Sequence, residues 1–393
     1  MAIVLLNQFF HPASAATGQF LADLAHELAA EQPTSVICGV SAHAETCSPV
    51  NVVRVRILKT RLASYLSFLC AAAWHALRMP RQDIVVTMTT PPLLACVGTL
   101  VQRWRGSRHY IWEMDVYPDI AAGLGVLGAR SAVMRVLAAI ADYSRRRADG
   151  IIAVGECMKT RLIAHGIDAG KIHVVENWAD GERITPGAFP EGTALRVYYS
   201  GNLGLAHDVE TIRGAMLALR RDAKFEFIFA GGGARRGELE RCCREQETGN
   251  ARFESYCGRG ELGDRLAEGH IGLVTQRAET LGSVVPSKTY GIMAAGRPVL
   301  FIGPREATPA RIIREFRCGW HVECGDVRGV VDLLHFLEGR REEIYEAGGR
   351  GRRAFEEHYD RGIGVRRIAG ILGGSARDRG SGRRLLTRAV LKG

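Results

Sequence analysis

The stretch Val284-Val285-Pro286-Ser287-Lys288-Thr289-Tyr290 carries the densest chemistry in the chain. Proline suits the first turn of a helix, serine can cap that turn or donate to an anion, and Lys288 puts a cation at the helix's positive end. A lysine there opposes the helix dipole unless an anion such as a diphosphate offsets both. A second anion-suited feature is Tyr198-Tyr199-Ser200-Gly201-Asn202-Leu203-Gly204. It reads as a strand entering a glycine-rich loop, with helical spacing at Val209, Ile212, Ala215, Met216 and Leu219 behind it. Such a loop aims backbone N–H groups at the carboxyl edge of a sheet, although a turn glycine before any α/β helix looks similar.

Elements to hold these groups follow from the apolar pattern. Short Val- and Ile-rich runs at Ala2–Leu6, Thr34–Val40, Val52–Leu58, Ile84–Met88, Tyr110–Trp112, Ile151–Val154 and Ile172–Val175 alternate with helical patterns. The alternation restarts at Arg196–Ser200, Phe225–Ala230, Ile271–Val274 and Pro298–Ile302. Buried strands joined by helices imply parallel sheets with crossover connections, an α/β architecture. Pro, Gly and acidic residues from Asn177 to Gly192 interrupt the pattern, which gives a first domain at 1–187 and a second at 188–360. A helix is expected at Arg340–Tyr359, and 361–393 reads as a basic, flexible tail.

At 393 residues the chain suits two cores of ~150 to 200 residues each. Its ten cysteines show no C-x-x-C pair, and none stands with histidine at zinc spacing. The first residues read as a buried strand rather than a signal peptide. A net charge of +10 favours anionic partners, and without a helix-turn-helix, zinc-finger or RNP pattern those partners are phosphates or lipids rather than nucleic acid. The apolar run Leu62–Leu77, flanked by Arg54, Arg56, Lys59, Arg61, Arg78 and Arg81, fits a packed crossover helix or one touching a membrane interface. It is too short to span a bilayer comfortably. Arg383–Lys392 is either a second membrane contact or a solvated basic tail.

The string Pro286–Val299, together with Tyr199–Gly204, Glu176–Asp180, Phe229–Gly233 and Phe10-His11-Pro12…Thr17-Gly18-Gln19-Phe20, resembles family 4 glycosyltransferases of the colanic-acid and O-antigen (WbuB-like) branch over residues 3 to 360. The resemblance implies a GT-B fold, two Rossmann-like domains with parallel sheets facing across a cleft, the last helix of the second crossing back to the first. Their donor would be a nucleotide-diphosphate sugar, UDP-sugar favoured over GDP-sugar, held mainly by the second domain. The acceptor would be a lipid-linked saccharide, carried on undecaprenyl diphosphate, used in cell-surface polysaccharide synthesis. It further implies retention at the anomeric carbon, no metal or other cofactor, and a cytoplasmic enzyme peripheral on the inner face of the plasma membrane.

Carried onto this chain, the likeness assigns the donor to Gly201, Asn202, His207, Ser283, Pro286, Ser287, Lys288, Thr289 and Tyr290, with Thr17 and Gly18 approaching the same phosphates. Asp115 becomes the candidate catalytic carboxylate beside Lys288, and Glu113 and Tyr117 fall on the acceptor side. The chain departs from many relatives in having Asn202 and His207 for an Arg and a Lys, Ser283 and Gly291 for two Glu, and Met114 for a His. Two other readings share the fold: a nucleotide-sugar 2-epimerase, and a membrane-associated scaffold that has lost activity.

Overall fold

The computed structural model describes residues 1–11, 15–40, 49–58, 60–128 and 130–374. Pro12, Lys59 and the basic segment 383–392 lie outside the described residues. Two compact units emerge, one formed by Met1–Ala122, Leu127–Glu176 and the chain from Gly362, the other by Gly123–Val126 and Asn177–Arg361.

In unit 1 the chain runs β1 (Ile3–Leu6), α1 (Ala16–Glu31), β2 (Thr34–Gly39), β3 (Asn51–Val55), α2 (Arg61–Arg78), β4 (Ile84–Thr87), α3 (Ala95–Arg105), β5 (Arg108–Glu113), α4 (Asp119–Gly123), α5 (Ala132–Arg147), β6 (Gly150–Ala153), α6 (Glu156–Ala164) and β7 (Ile172–Val174). All seven strands are parallel in the order β3-β2-β1-β4-β5-β6-β7. The register sets Ile3 between Thr34 and Ile84. The four residues of β1 are wholly buried because helices cover both faces of a parallel sheet. Val4, Leu6, Ile37 and Val85 meet Phe68 of α2 and Val97 and Val101 of α3 in one core.

Unit 2 runs β8 (Leu195–Asn202), α7 (Glu210–Ala218), β9 (Phe225–Gly232), α8 (Arg236–Glu245), β10 (Ala251–Glu254), α9 (Leu262–Ala267), β11 (Ile271–Thr275), α10 (Lys288–Ala294), β12 (Val299–Ile302), α11 (Thr308–Phe316), β13 (Gly319–Val322), α12 (Val327–Glu338) and α13 (Arg341–His358). Its six parallel strands lie in the order β10-β9-β8-β11-β12-β13. Successive side chains feed opposite faces. Val197, Tyr199 and Phe227 join α7 and α12 on one face, while Tyr198, Ile228 and Val274 join α10, α11 and α13 on the other.

Three expectations change. The edge strands β10 and β13 have no apolar run to announce them, since an edge position buries them only in part. Unit 2 opens at Asn177 rather than 188: Ile184 enters its core, and Ala179 pairs with Asp360. The expected tail from 361 begins with more structure, because residues 361–374 are helical and bury Val365, Ile368 and Leu372 on one helical face.

Candidate functional site

The ends of β8 and β9 lie side by side, with Gly201 paired to Gly231 and Asn202 to Gly232. Gly201 (φ +116°) and Gly231 (φ +128°) are in backbone conformations that side-chain-bearing residues rarely adopt. A Cβ on Gly201 would stand 2.9 Å from Cε of Lys288, and one on Gly231 would strike the carbonyl of Gly201. The glycines therefore let the lysine lie along the backbone of the first loop.

Lys288 is half-buried. Its Nζ lies 3.4 Å from the carbonyl oxygen of Asn202 and 5.2 Å from the Tyr199 ring centroid. Desolvation pulls its ammonium down to about 8. The Tyr199 hydroxyl donates to the same Asn202 carbonyl at 2.8 Å. His207 completes the group, with Nδ1 2.9 Å from the carbonyl oxygen of Thr275 and Nε2 3.4 Å from the Tyr199 hydroxyl. A carbonyl only accepts, so the proton sits on Nδ1. Burial, aided by the charge of Lys288, pushes His207 down to about 3 and leaves it neutral. Of the residues gathered here, Lys288 supplies the cation.

The rest of the segment divides. Pro286 stands two residues before the start of α10 instead of in its first turn, and Ser287 occupies the N-cap without a side-chain capping bond. Thr289 is buried and turns its hydroxyl to the Pro286 carbonyl at 3.3 Å. Tyr290 is fully buried, its ring 5.2 Å from that of Tyr359. Ser283 is also buried, and its hydroxyl has no hydrogen-bond partner among the described residues. Sequence reading missed Gln276, whose side-chain amide donates to the carbonyls of Thr280 and Val284, each at 3.2 Å. That clamp fixes the loop leading to Lys288. Its signal was position, just past the carboxyl end of β11.

In unit 1, Gly18 lies in the first turn of α1, where a Cβ would come 3.1 Å from the backbone carbon of Phe9. Thr17 beside it is partly exposed. Asp115 follows β5, its N–H donating to the Thr89 hydroxyl at 3.2 Å. Burial, reinforced by the charge of Glu113, raises its carboxyl to about 6.

Glu113 was expected to face an acceptor. Instead it is 2% exposed and held by Arg145 through Nη2–Oε1 at 2.6 Å and Nε–Oε2 at 3.3 Å. The same guanidinium donates to the Tyr117 carbonyl at 2.9 Å and to Asp142 at 2.9 Å. Asp142 meets Nδ1 of His165 at 3.1 Å, and Nε2 of His165 meets Asp119 at 2.9 Å. Hydrogen bonds to Asp119 and Asp142 lift His165 to about 9, so the ring is charged at neutral pH. The network anchors the backbone on both sides of Asp115. None of its members on α5 or at the end of α6 carries a motif, and its links between elements, 23 to 46 residues apart, leave no local signal.

A model of the glycosyl transferase 4-like domain matches residues 16–178. WbjE of Pseudomonas aeruginosa, named as a probable glycosyltransferase, is similar over most of the chain, 27% identical across 80% of each protein. The chain is a glycosyltransferase, and its likeness is to family 4. WcaI of Escherichia coli K12, named for colanic acid biosynthesis glycosyl transfer, is 26% identical over 52% of the glycosyltransferase and 54% of WcaI. The GT-B fold is shown by structures such as Anabaena HepE, solved in complex with UDP and glucose. It superposes with TM-score 0.73 at 14% identity, covering 95% of the glycosyltransferase and 99% of HepE. Among the described residues no helix of the glycosyltransferase is long and apolar enough to cross a membrane.

Proposed function

We propose that the enzyme moves a sugar, with retention, from a UDP-sugar to a lipid-linked saccharide in cell-surface polysaccharide biosynthesis, working at the cytoplasmic face of the membrane. The observation that carries the donor half is Lys288. Among the described residues its desolvated ammonium reaches a carbonyl rather than a carboxylate. A cation in that position is stabilised by a diphosphate more than by anything the chain supplies. HepE's complex with UDP supports the nucleotide, and WcaI's name supports the pathway class.

In this reading the diphosphate leaves an oxocarbenium-like sugar, and the acceptor hydroxyl attacks the same face. Its proton passes to the departing phosphate oxygen. Lys288 meets the charge growing on that oxygen, so catalysis needs no metal ion. Gly201 and the backbone beside Asn202 border the phosphates, and neutral His207 shapes the loop through Thr275. Ser283, with its uncommitted hydroxyl, is a candidate donor to the ligand. Asp115 is the carboxylate required in unit 1.

Thermal unfolding with UDP, GDP and their sugars tests the proposal. A ligand at 100 times its Kd stabilises by about 2.7 kcal/mol, and UDP should do so. Lys288→Ala should keep the ligand-free melting temperature at or above wild type, since a desolvated cation is removed, and lose about 10²–10³ in kcat. Wild-type turnover in that variant would overturn the assignment.

A further inference from the structure

The crossover helices α2, α3 and α5 pack side by side on one face of the unit 1 sheet. Their inner sides are conventional: Phe68, Ala72, Val97, Val101 and Met134 are buried. The outer sides lack the usual polar cover. Along α5, Val133, Val136, Ile140 and Tyr143 recur at helical spacing and are 58%, 58%, 39% and 51% exposed. On α2, Leu62, Leu66 and Trp74 stand out in the same way, and on α3 Trp104 is 72% exposed.

Charge on this layer has one sign. The Arg78 guanidinium lies 3.5 Å from the Trp74 ring centroid, and that of Arg147 lies 5.6 Å from Tyr143. Arg103, Arg135 and Arg146 are exposed among the apolar groups. The sequences of the three helices contain a single acidic residue, Asp142, which is engaged by Arg145 and His165. An outer face of aliphatic and aromatic side chains, with arginines stacked on the rings and no uncommitted carboxylate, matches the boundary between lipid headgroups and acyl chains.

We propose that the outer face of α2, α3 and α5 docks on an anionic lipid surface, with the α5 stripe as its centre. The apolar groups enter the interface and the arginines meet lipid phosphates, each worth about fivefold in affinity. Docking explains how a chain whose described helices are too short or polar to cross a membrane would reach the lipid-linked acceptor proposed above, yet it is independent of transfer and is read without an activity assay.

The test is flotation of the full chain with vesicles of phosphatidylcholine alone or with 30% phosphatidylglycerol, at low and high salt, about 0.05 and 0.5 M, which shortens electrostatic range. Wild type should float with the anionic vesicles at low salt and be largely released at high salt. The triple variant Val133→Ser, Val136→Ser, Ile140→Ser should bind at least about tenfold less tightly. Arg146→Gln with Arg147→Gln should lose about 25-fold at an unchanged melting temperature. Equal flotation of either variant with wild type overturns the proposal, as does equal binding to the two vesicle types. Sedimentation velocity separates the remaining occupant: a wild-type dimer that the α5 variant splits without loss of flotation assigns the face to a second copy of the chain.

Discussion

Two titrating side chains frame the chemistry from opposite directions. Asp115 is raised to about 6 by burial and by Glu113, so it is a carboxylate above that pH and loses its charge below it. Lys288 is drawn down to about 8 by desolvation, so it is cationic below that pH and loses its charge above it. If both charged forms are required, kcat/KM, which reports the free enzyme, should be bell-shaped with limbs near pH 6 and pH 8. Glu113→Gln removes the repulsion on Asp115 and leaves Arg145 with less to neutralise. The acidic limb should then move to lower pH while the alkaline limb stays. A profile in which neither limb moves would assign the acidic limb to another group. Lys288 and Asp115 both stood in legible strings, whereas the Arg145 and His165 network that holds Asp115's neighbours was visible only once α5 and α6 were folded against β5.

At the scale of elements, alternation of apolar runs with helical spacing specified most strands, because burial on both faces leaves an unmistakable composition. It failed at β10 and β13, whose edge positions ask less of the sequence. It also placed Arg297 in a motif without explaining it. The residue is 1% exposed and donates to the carbonyls of Gly187, Ala188, Ala267 and Gly269 while stacking 4.0 Å from the Phe189 ring centroid. One guanidinium thus joins the opening segment of unit 2 to the end of α9 and the start of β12. Arg297→Met would leave several buried carbonyls without donors and should cost about 3–5 kcal/mol. Arg297→Lys should recover little, since a single ammonium cannot reproduce the fork. Chemical denaturation followed by tryptophan fluorescence measures both, and a lysine variant as stable as wild type would reduce Arg297 to a bare charge.

For the whole molecule, the family strings and the two-unit plan were present in the sequence, and the resemblance implied a last helix crossing back to the first domain, but the point at which the chain changes units was not legible. Unit 1 is discontinuous: it takes residues up to Glu176 and then the chain from Gly362. The Gly- and Arg-rich composition beyond 373 concealed the short apolar repeat Val365, Ile368 and Leu372, which are 3%, 0% and 0% exposed. Burying such side chains is worth about 1.5–3 kcal/mol each, a sum comparable with the 5 to 15 kcal/mol that holds a typical protein folded. A chain ending at Arg361 should therefore lose unit 1 first. Calorimetry should show its lower transition weakened or absent, and limited proteolysis should cut within residues 1–176. The core of unit 2 loses none of its residues, so its transition should persist and still rise with UDP. If the shortened chain melts like the full one, the terminal helix is an ornament of unit 1 rather than part of its core. If both transitions collapse together, the two units unfold as one cooperative body.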